Sequence, residues 1–206
     1  MVLAGSSSVY GSAGVLPRRE DQPTDPRSPY AASKLAAEHY VHTIGVACGV
    51  ESVVLRYFNV FGPGQDPMSE YAAVVPRFVT AALEGRRPVV FGDGTQSRDF
   101  TYIDNVVAAN LSAASAPNAP GKIINVANGK RVTLNELLDE LKQLTGKADV
   151  TAEYREPRVG DVKHSLADIS MAREILGYES KVDLREGLQR TLDWWKTSRF
   201  AAPQSV

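Results

Sequence analysis

The chain has 206 residues, of which 43% are hydrophobic and 23% are charged, and its formal net charge is −1. This composition is typical of a globular protein of one large domain or two small ones, without the basic stripe or tail that nucleic acid or an anionic membrane attracts. The single cysteine, Cys48, excludes an internal disulfide and a cysteine-based metal site; we expect it to be buried, in a cytoplasmic protein with no metal, no nucleic acid and no membrane as partner.

The first third of the chain alternates strand and helix signals. Residues 2–4 form a short apolar run that ends in serines, which predicts a buried strand opening into a polar loop. Ser28 followed by Pro29 is typical of a helix start, and this helix is expected to end at one of two glycines, Gly45 or Gly49. Residues 52–59 are rich in β-branched and aromatic side chains and predict a second strand. The order strand, helix, strand favours a crossover in a parallel sheet.

The remainder is less uniform and predicts a mixture of helices and strands. Gly85 is a helix stop, Asp104 is expected to cap a helix, and Thr133 with Glu136 forms the pattern of a capping box. Helices are expected at 76–83, 104–114, 133–146, 170–176 and 184–197, and strands at 88–91, 123–126 and 151–154.

Tyr30 and Lys34 lie one helical turn apart, and Ser6 precedes them in a position to supply a hydroxyl. A tyrosine has a pKa near 10, so to act as a base near pH 7 it must have its pKa lowered by about 2 to 3, or roughly 3 to 4 kcal/mol. An ammonium on the same helix face is one group that can do this. The three residues together therefore indicate acid/base chemistry.

Six stretches of the chain together resemble the extended short-chain dehydrogenase/reductase family, in particular its nucleotide-sugar epimerases of the UDP-glucose 4-epimerase type. A lone Tyr-x-x-x-Lys is weak evidence, but six matches in the family's order are strong. The matching stretches are Ser6-Ser-Ser-Val-Tyr-Gly11, Pro29-Tyr-Ala-Ala-Ser-Lys34, Leu55-Arg-Tyr-Phe-Asn-Val-Phe-Gly-Pro63, Val89-Val-Phe-Gly-Asp-Gly94, Arg98-Asp-Phe-Thr-Tyr-Ile-Asp104 and Pro157-Arg-Val-Gly-Asp161.

The resemblance implies roles for the residues that match these motifs. Tyr30 would remove a proton from a sugar hydroxyl while NAD takes hydride from the same carbon, and Ser6 would hydrogen-bond that hydroxyl. Lys34 would lower the tyrosine pKa and hold the cofactor ribose, and Tyr57 would approach the nicotinamide. Further matches imply contacts to a UDP-sugar, through the diphosphate, the nucleotide ribose or the uracil; these residues are Ser8, Asn59, Val89, Phe91, Arg98, Arg158 and Asp161.

The resemblance also implies a fold and a division of the chain. Residues 1–64 would form the C-terminal part of a Rossmann-like α/β domain with a parallel sheet. Residues 65–206 would mostly form a small mixed α/β substrate-binding region, with about 95–126 returning to the first domain. Homodimers are the rule among such enzymes, through the helix that carries Tyr30.

Among sister reactions the motif favours epimerisation at C4 of a UDP-sugar of the glucose/galactose type. Related dehydratases carry an Asp-Glu pair where this chain has Ser7 and Ser8, and decarboxylases carry Glu at the position of Ser8. His164, in the loop after Asp161, could approach the ligand, although a loop position without such a role is the simpler interpretation.

Nothing in the sequence matches the Gly-x-x-Gly-x-x-Gly unit with which this family binds NAD. We therefore expect the N-terminal NAD-binding half to be missing and the 206-residue chain to be inactive alone. Alternatives are a non-catalytic nucleotide-sugar binding module, a scaffold whose motifs persist without use, and a sister dehydratase or decarboxylase.

Overall fold

The structure, a computed structural model, describes residues 1–12, 14–68, 73–157 and 162–201. A short 3₁₀ turn, Ser7–Tyr10, follows the first strand. The strands are β1 (Val2–Ser6), β2 (Val53–Tyr57), β3 (Val60–Phe61), β4 (Val89–Phe91), β5 (Ser97–Arg98), β6 (Thr101–Tyr102), β7 (Ile123–Val126), β8 (Val132–Thr133) and β9 (Glu153–Arg155). The helices are α1 (Pro29–Cys48), α2 (Val74–Glu84), α3 (Ile103–Ser115), α4 (Leu134–Thr145), α5 (Ser170–Leu176) and α6 (Leu184–Ala201).

A three-stranded parallel sheet in the order β1-β2-β7 is the centre of the α/β fold. Leu3 pairs with Val54 and Ser6 with Tyr57, so β1 and β2 end together. This arrangement confirms the predicted strands and the parallel crossover through α1. Because the carboxyl ends of parallel strands share one sheet edge, the Ser6 and Tyr57 ends define where a ligand site can form.

Helix α1 begins and ends as its sequence signals predict. The Ser28 side chain accepts a hydrogen bond from the backbone N–H of Ala31, and Pro29 occupies the first turn. Gly49 adopts the left-handed conformation at the C-terminus and donates its N–H to the Gly45 carbonyl. The expectation that Cys48 is buried is wrong, because this last helical residue faces solvent.

The second half of the chain follows its local stop and start signals closely. Gly85 and Gly146 end α2 and α4 in the left-handed conformation. The Thr133 hydroxyl and the Glu136 carboxylate form the predicted capping box. Asp104, however, is not a cap: α3 begins one residue earlier, after Tyr102, and Asp104 lies in its first turn, where a carboxylate still favours the positive end of the helix.

The described residues form three hydrophobic clusters, of which the two larger ones pack the helices. One packs α3 and α5 against the sheet through residues such as Leu55, Ala109 and Ile124. The other joins α2, α4 and α6 through Phe78, Leu137 and Leu188, which are fully buried. None of the helices in the described part of the chain is long and apolar enough to cross a membrane.

Candidate active site

The serine-rich turn lies directly at the end of β1. The Ser6 and Ser8 hydroxyl oxygens are 2.8 Å apart, and the Ser8 backbone N–H donates to the Ser6 oxygen over 3.2 Å. Gly11 closes the turn with φ at +61°, where an added Cβ would lie 2.1 Å from the Asp25 carbonyl oxygen. Only glycine satisfies both the positive φ and the close approach of Asp25, so the turn that orients Ser6 requires glycine at position 11.

Tyr30 and Lys34 lie on the first turns of α1, as predicted. The Lys34 ammonium is 5.7 Å from the centre of the Tyr30 ring and donates a hydrogen bond of 3.1 Å to the Ala4 carbonyl. That bond uses one of its three N–H donors and ties α1 to the strand that ends at Ser6. The Tyr30 side chain is 44% exposed, so it is accessible to a ligand.

A cavity of about 810 Å³ opens between the serine turn, the start of α1 and the ends of β2 and β5. It is large enough for a nucleotide-sized ligand. Among the described residues that line it there is no carboxylate, whereas Arg18, Arg27 and Arg98 supply positive charge. Six of the predicted site residues line this cavity together; they are Ser6, Ser8, Tyr30, Tyr57, Asn59 and Arg98.

Tyr57 and Asn59 are held in place by contacts behind the cavity wall. The Tyr57 hydroxyl donates a hydrogen bond of 2.9 Å to the Asn110 side chain on α3, and partial burial raises the pKa of Tyr57. Asn59 has φ at +35°, a conformation that few residues other than glycine adopt, and its amide donates to the Asp99 carbonyl. This amide contact differs from the diphosphate contact that the family resemblance implies for Asn59.

Arg98 lies where β5 meets the irregular segment 162–165. Its guanidinium donates to the backbone carbonyls of Ser97 (3.0 Å) and Lys163 (3.2 Å). The Ser97 hydroxyl is 2.8 Å from Nδ1 of His164, whose ring also lines the cavity. His164 is thus partly buried beside the cavity, a position from which it could approach a ligand.

Val89 and Phe91, on β4, line a smaller neighbouring cavity of about 240 Å³ rather than the large one. Asn59 and Arg98 border both cavities, so the two are adjacent. An apolar surface beside Arg98 is the kind of environment that we expect for a nucleotide base next to a phosphate. The predicted ligand contacts of Arg158 and Asp161 lie outside the described residues.

A buried ion pair connects α1 to β2 beneath the site. The Arg56 guanidinium donates hydrogen bonds of 2.7 to 3.3 Å to both carboxylate oxygens of Glu38, and each residue is only 3% exposed. The guanidinium also lies 4.7 Å from the centre of the buried Tyr10 ring. The helix that carries Tyr30 is thereby fixed to the strand that carries Tyr57.

Asp99 is a second buried charge behind the cavity. Its carboxylate accepts backbone N–H bonds from Asn128, Gly129 and Ala167 at 2.9 to 3.2 Å. Desolvation nevertheless outweighs these bonds and raises the pKa of Asp99 to about 6. This residue joins the segment before β6 to the loop after β7 and to the segment that follows His164.

A parallel sheet with a serine at one edge, and a tyrosine and a lysine on the adjoining helix beside a cationic cavity, is the arrangement of the short-chain dehydrogenase/reductase class. Within this class, residues 1–127 match the model of the NAD dependent epimerase/dehydratase family. The chain belongs to this family.

Solved structures of UDP-sugar 4-epimerases are similar to the chain over nearly its whole length. They include the UDP-N-acetylglucosamine 4-epimerase of Methanobrevibacter ruminantium, bound to UDP-N-acetylmuramic acid (40% identity, TM-score 0.90, 96% of this chain and 63% of that one). The UDP-glucose 4-epimerase of Thermotoga maritima, with UDP-glucose, shows 37% identity, TM-score 0.90 and the same two coverages. The UDP-glucuronic acid 4-epimerase of Bacillus cereus, with UDP-glucuronic acid and NAD, shows 33% identity and TM-score 0.87, over 96% of this chain and 61% of that one. The chain thus spans about three fifths of the length of the relatives it matches.

Proposed function

We propose that the chain carries the acid/base and nucleotide-sugar part of an NAD-dependent 4-epimerase that acts on a UDP-sugar of the glucose/galactose type. The observation that supports this most directly is the placement of Ser6, Tyr30 and Arg98 around one cationic cavity, with Lys34 beside Tyr30. The relatives named above act on three different UDP-sugars, so the nucleotide diphosphate is the better supported part of the substrate.

Tyr30 is the proposed base for the sugar C4 hydroxyl. It is accessible at the cavity, and the Lys34 ammonium lies 5.7 Å from the centre of its ring, which places positive charge beside the proposed base. Ser6 donates to or accepts from the same hydroxyl, and the Ser8 N–H and hydroxyl hold the Ser6 oxygen in one orientation. When C4 is reduced again, the proton returns from Tyr30 to the sugar oxygen.

Lys34 and Tyr57 are the residues here that would hold NAD, which when bound supplies the hydride acceptor and donor of the reaction. The arrangement fits such a group in two respects. The ammonium has donors beyond its bond to Ala4 for ribose hydroxyls, and the Tyr57 ring forms a flat wall fixed through Asn110. The protein's part is then to orient the sugar and to move one proton.

Arg98 is the proposed diphosphate ligand, because its planar guanidinium can bind phosphate oxygens in pairs. Its hydrogen bonds to two backbone carbonyls fix the position of the guanidinium at the border of the two cavities. Val89 and Phe91 would then face the uracil, and Asn59 would lie between the sugar and diphosphate. Arg158 and Asp161 remain predicted ligands on the strength of their motif.

Calorimetry of the 206-residue chain with UDP-glucose tests the nucleotide-sugar site. We expect binding that Arg98→Leu weakens by at least tenfold, about 1.4 kcal/mol, whereas Arg19→Leu, at an exposed position away from the cavity, leaves it unchanged. No measurable binding of UDP-glucose or UDP would contradict the proposal. Binding of UDP-glucose with no NAD-dependent chemistry in the next experiment would favour the non-catalytic binding module.

Turnover is tested in a chimera in which this chain replaces the matching part of the Thermotoga maritima enzyme. We expect NAD-dependent exchange of UDP-glucose and UDP-galactose, measured by chromatography, and loss of at least 99% of the rate in Tyr30→Phe, since general-base contributions are about 10²–10⁴-fold. If the Tyr30→Phe chimera is folded, contains NAD and is as active as the unsubstituted chimera, the assignment of the base is refuted. Exchange by the 206-residue chain alone would refute the expectation that it is inactive by itself.

A further inference from the structure

His164 is held at the cavity by an unusually complete set of contacts for a residue of an irregular segment. The Ser97 N–H donates to the Lys163 carbonyl over 2.9 Å, and the Ser165 N–H donates to the Ser97 carbonyl over 3.0 Å. These two bonds pair the segment with β5 on both sides of His164. The backbone of His164 is therefore fixed beside Arg98, although neither belongs to a long strand.

Among the described residues, the imidazole ring has its hydrogen-bond contact through Nδ1. Nδ1 lies 2.8 Å from the hydroxyl of Ser97, a residue that is only 1% exposed. Since the two ring nitrogens point in opposite directions, this anchor leaves Nε2 to face a ligand in the cavity that the ring lines. A hydroxyl can donate or accept, so the bond to Ser97 is compatible with both the neutral and the protonated ring.

Among the described residues, the charged groups that act on this ring are cationic. Partial burial lowers the pKa of His164 first, and the positive charges of Arg131 (before β8), Lys163 and Arg98 lower it further. Arg18 and Arg27 line the same cavity, and none of the described lining residues is acidic. The described charges beside the ring thus disfavour the protonated imidazole in the free protein, whereas a bound anion would favour it.

We propose that His164 is an additional ligand-contacting residue, which takes up one proton from solvent when the diphosphate of a nucleotide sugar binds beside it. The inference rests on the proposed function and concerns the same cavity. The diphosphate diester carries two negative charges near Arg98, and their field favours the protonated ring in the bound state. The protonated ring donates one hydrogen bond to Ser97 and offers the second N–H to the ligand.

Calorimetry with UDP-glucose at pH 6.5 to 7 tests this inference directly. The titration is repeated in two buffers of different ionisation enthalpy, because the difference in observed heat counts the protons taken up. UDP-glucose is the suitable probe, since its diphosphate is a diester with no titrating oxygen near neutral pH. We expect uptake of a fraction of one proton by the wild-type chain, and an affinity that weakens as the pH rises, by at most about tenfold per pH unit.

His164→Asn should abolish both the proton uptake and the pH dependence, while binding at pH 8 changes by less than about threefold. His39→Asn is the matched control, because His39 is an exposed histidine on α1, and it should leave both unchanged. With only three histidines in the chain, the Cε1 proton resonance of His164 can be assigned by loss in the variant. Its titration midpoint should rise when UDP-glucose binds.

Three results would overturn the inference, and they differ in whether the proposed function is also contradicted. Binding by the wild-type chain without proton uptake, or with uptake that persists in His164→Asn, contradicts the role of His164 and leaves the proposed function intact. No binding of UDP-glucose by the wild-type chain contradicts the proposed function and this inference with it. An unshifted His164 resonance in the saturated complex also counts against it.

Discussion

Replacement of Arg56 by methionine should be among the most destabilising changes in this chain. The two residues of the Glu38–Arg56 pair are each 3% exposed, and three hydrogen bonds join them. In Arg56→Met, the Glu38 carboxylate keeps its burial and loses its counter-charge. Breaking a buried pair in this way typically costs about 3–5 kcal/mol. Domains of this size have a total stability of about 5–15 kcal/mol, so the variant should be close to unfolding.

The double variant Glu38→Leu/Arg56→Met distinguishes this cause from a simple loss of packing. It removes both charges, and buried pairs replaced by apolar residues of similar size are often neutral or even stabilised. One nitrogen of the guanidinium, Nη1, is buried without a hydrogen-bond partner, so its loss removes a cost as well. The contact of Arg56 with the Tyr10 ring, worth about 0.5–2 kcal/mol, is the main favourable term that the double variant loses.

Urea unfolding followed by circular dichroism measures these differences. We expect Arg56→Met to lose about 3–5 kcal/mol and the double variant to recover most of it. Arg19→Met serves as control, because the side chains of the Arg19–Asp21 pair are 61% and 69% exposed, and its unfolding curve should lie close to that of the unsubstituted chain. A loss below about 1 kcal/mol in Arg56→Met, or a double variant no more stable than the single one, would refute the reasoning.

Three further predictions concern stability and use the same assay. The pKa of Asp99 in the folded protein is raised to about 6, so its contribution to the free energy of unfolding is fully present below its ordinary pKa near 4 and is lost as the pH rises through 6. Asp99→Asn should therefore remove up to about 3 kcal/mol of the pH dependence of stability between pH 4 and 6.5. An unchanged profile of stability against pH would contradict this. Gly11→Ala should lower the free energy of unfolding clearly more than Gly85→Ala does. Gly85 shares a positive φ but has open space around it, so Gly85→Ala should lose about 1 kcal/mol. Equal losses would show that the contact between the new Cβ at position 11 and the Asp25 carbonyl is relieved by a small shift. Thr133→Ala should lose about 1 kcal/mol with the capping box, and a neutral result would show that the cap is dispensable.

Local chemistry explains how much of the fold could be predicted. Gly85, Gly146 and the Thr133 capping box each satisfy helix ends with neighbouring atoms, so the sequence alone predicts them. The two-residue strands β3, β5, β6 and β8 have no periodicity to detect and are defined by partners distant in the chain. Cys48 was mispredicted for a similar reason, since its residue type favours burial but its position on the helix decides exposure.

The candidate site likewise contains some residues whose position the sequence predicts and others whose position depends on distant parts of the chain. Tyr30 and Lys34 belong to one helical motif whose spacing alone brings them near each other, and Ser6, from a separate motif, lines the same cavity as Tyr30. Arg18 and His164 reach the cavity through a tertiary contact between irregular segments, in which the Arg18 N–H donates to the Leu166 carbonyl. No sequence signal marks such a contact, and for that reason the positive charge that Arg18 adds to that of Arg98 could not be predicted.

The buried polar residues of this chain form a frame behind the cavity. The Glu38–Arg56 pair joins α1 to β2. Asp99 joins the segment before β6 to the segments around Asn128 and Ala167. The Asn125 side chain accepts a hydrogen bond from the Tyr10 hydroxyl and donates one to the Arg18 carbonyl. Each connection would cost free energy if one partner were lost, because the other is desolvated. An apolar core could join the same elements, but it tolerates small shifts in their relative position. Directional bonds to charged groups restrict such shifts, and the proposed proton transfer between Tyr30 and a sugar hydroxyl would require the heavy atoms to be held at hydrogen-bond distance.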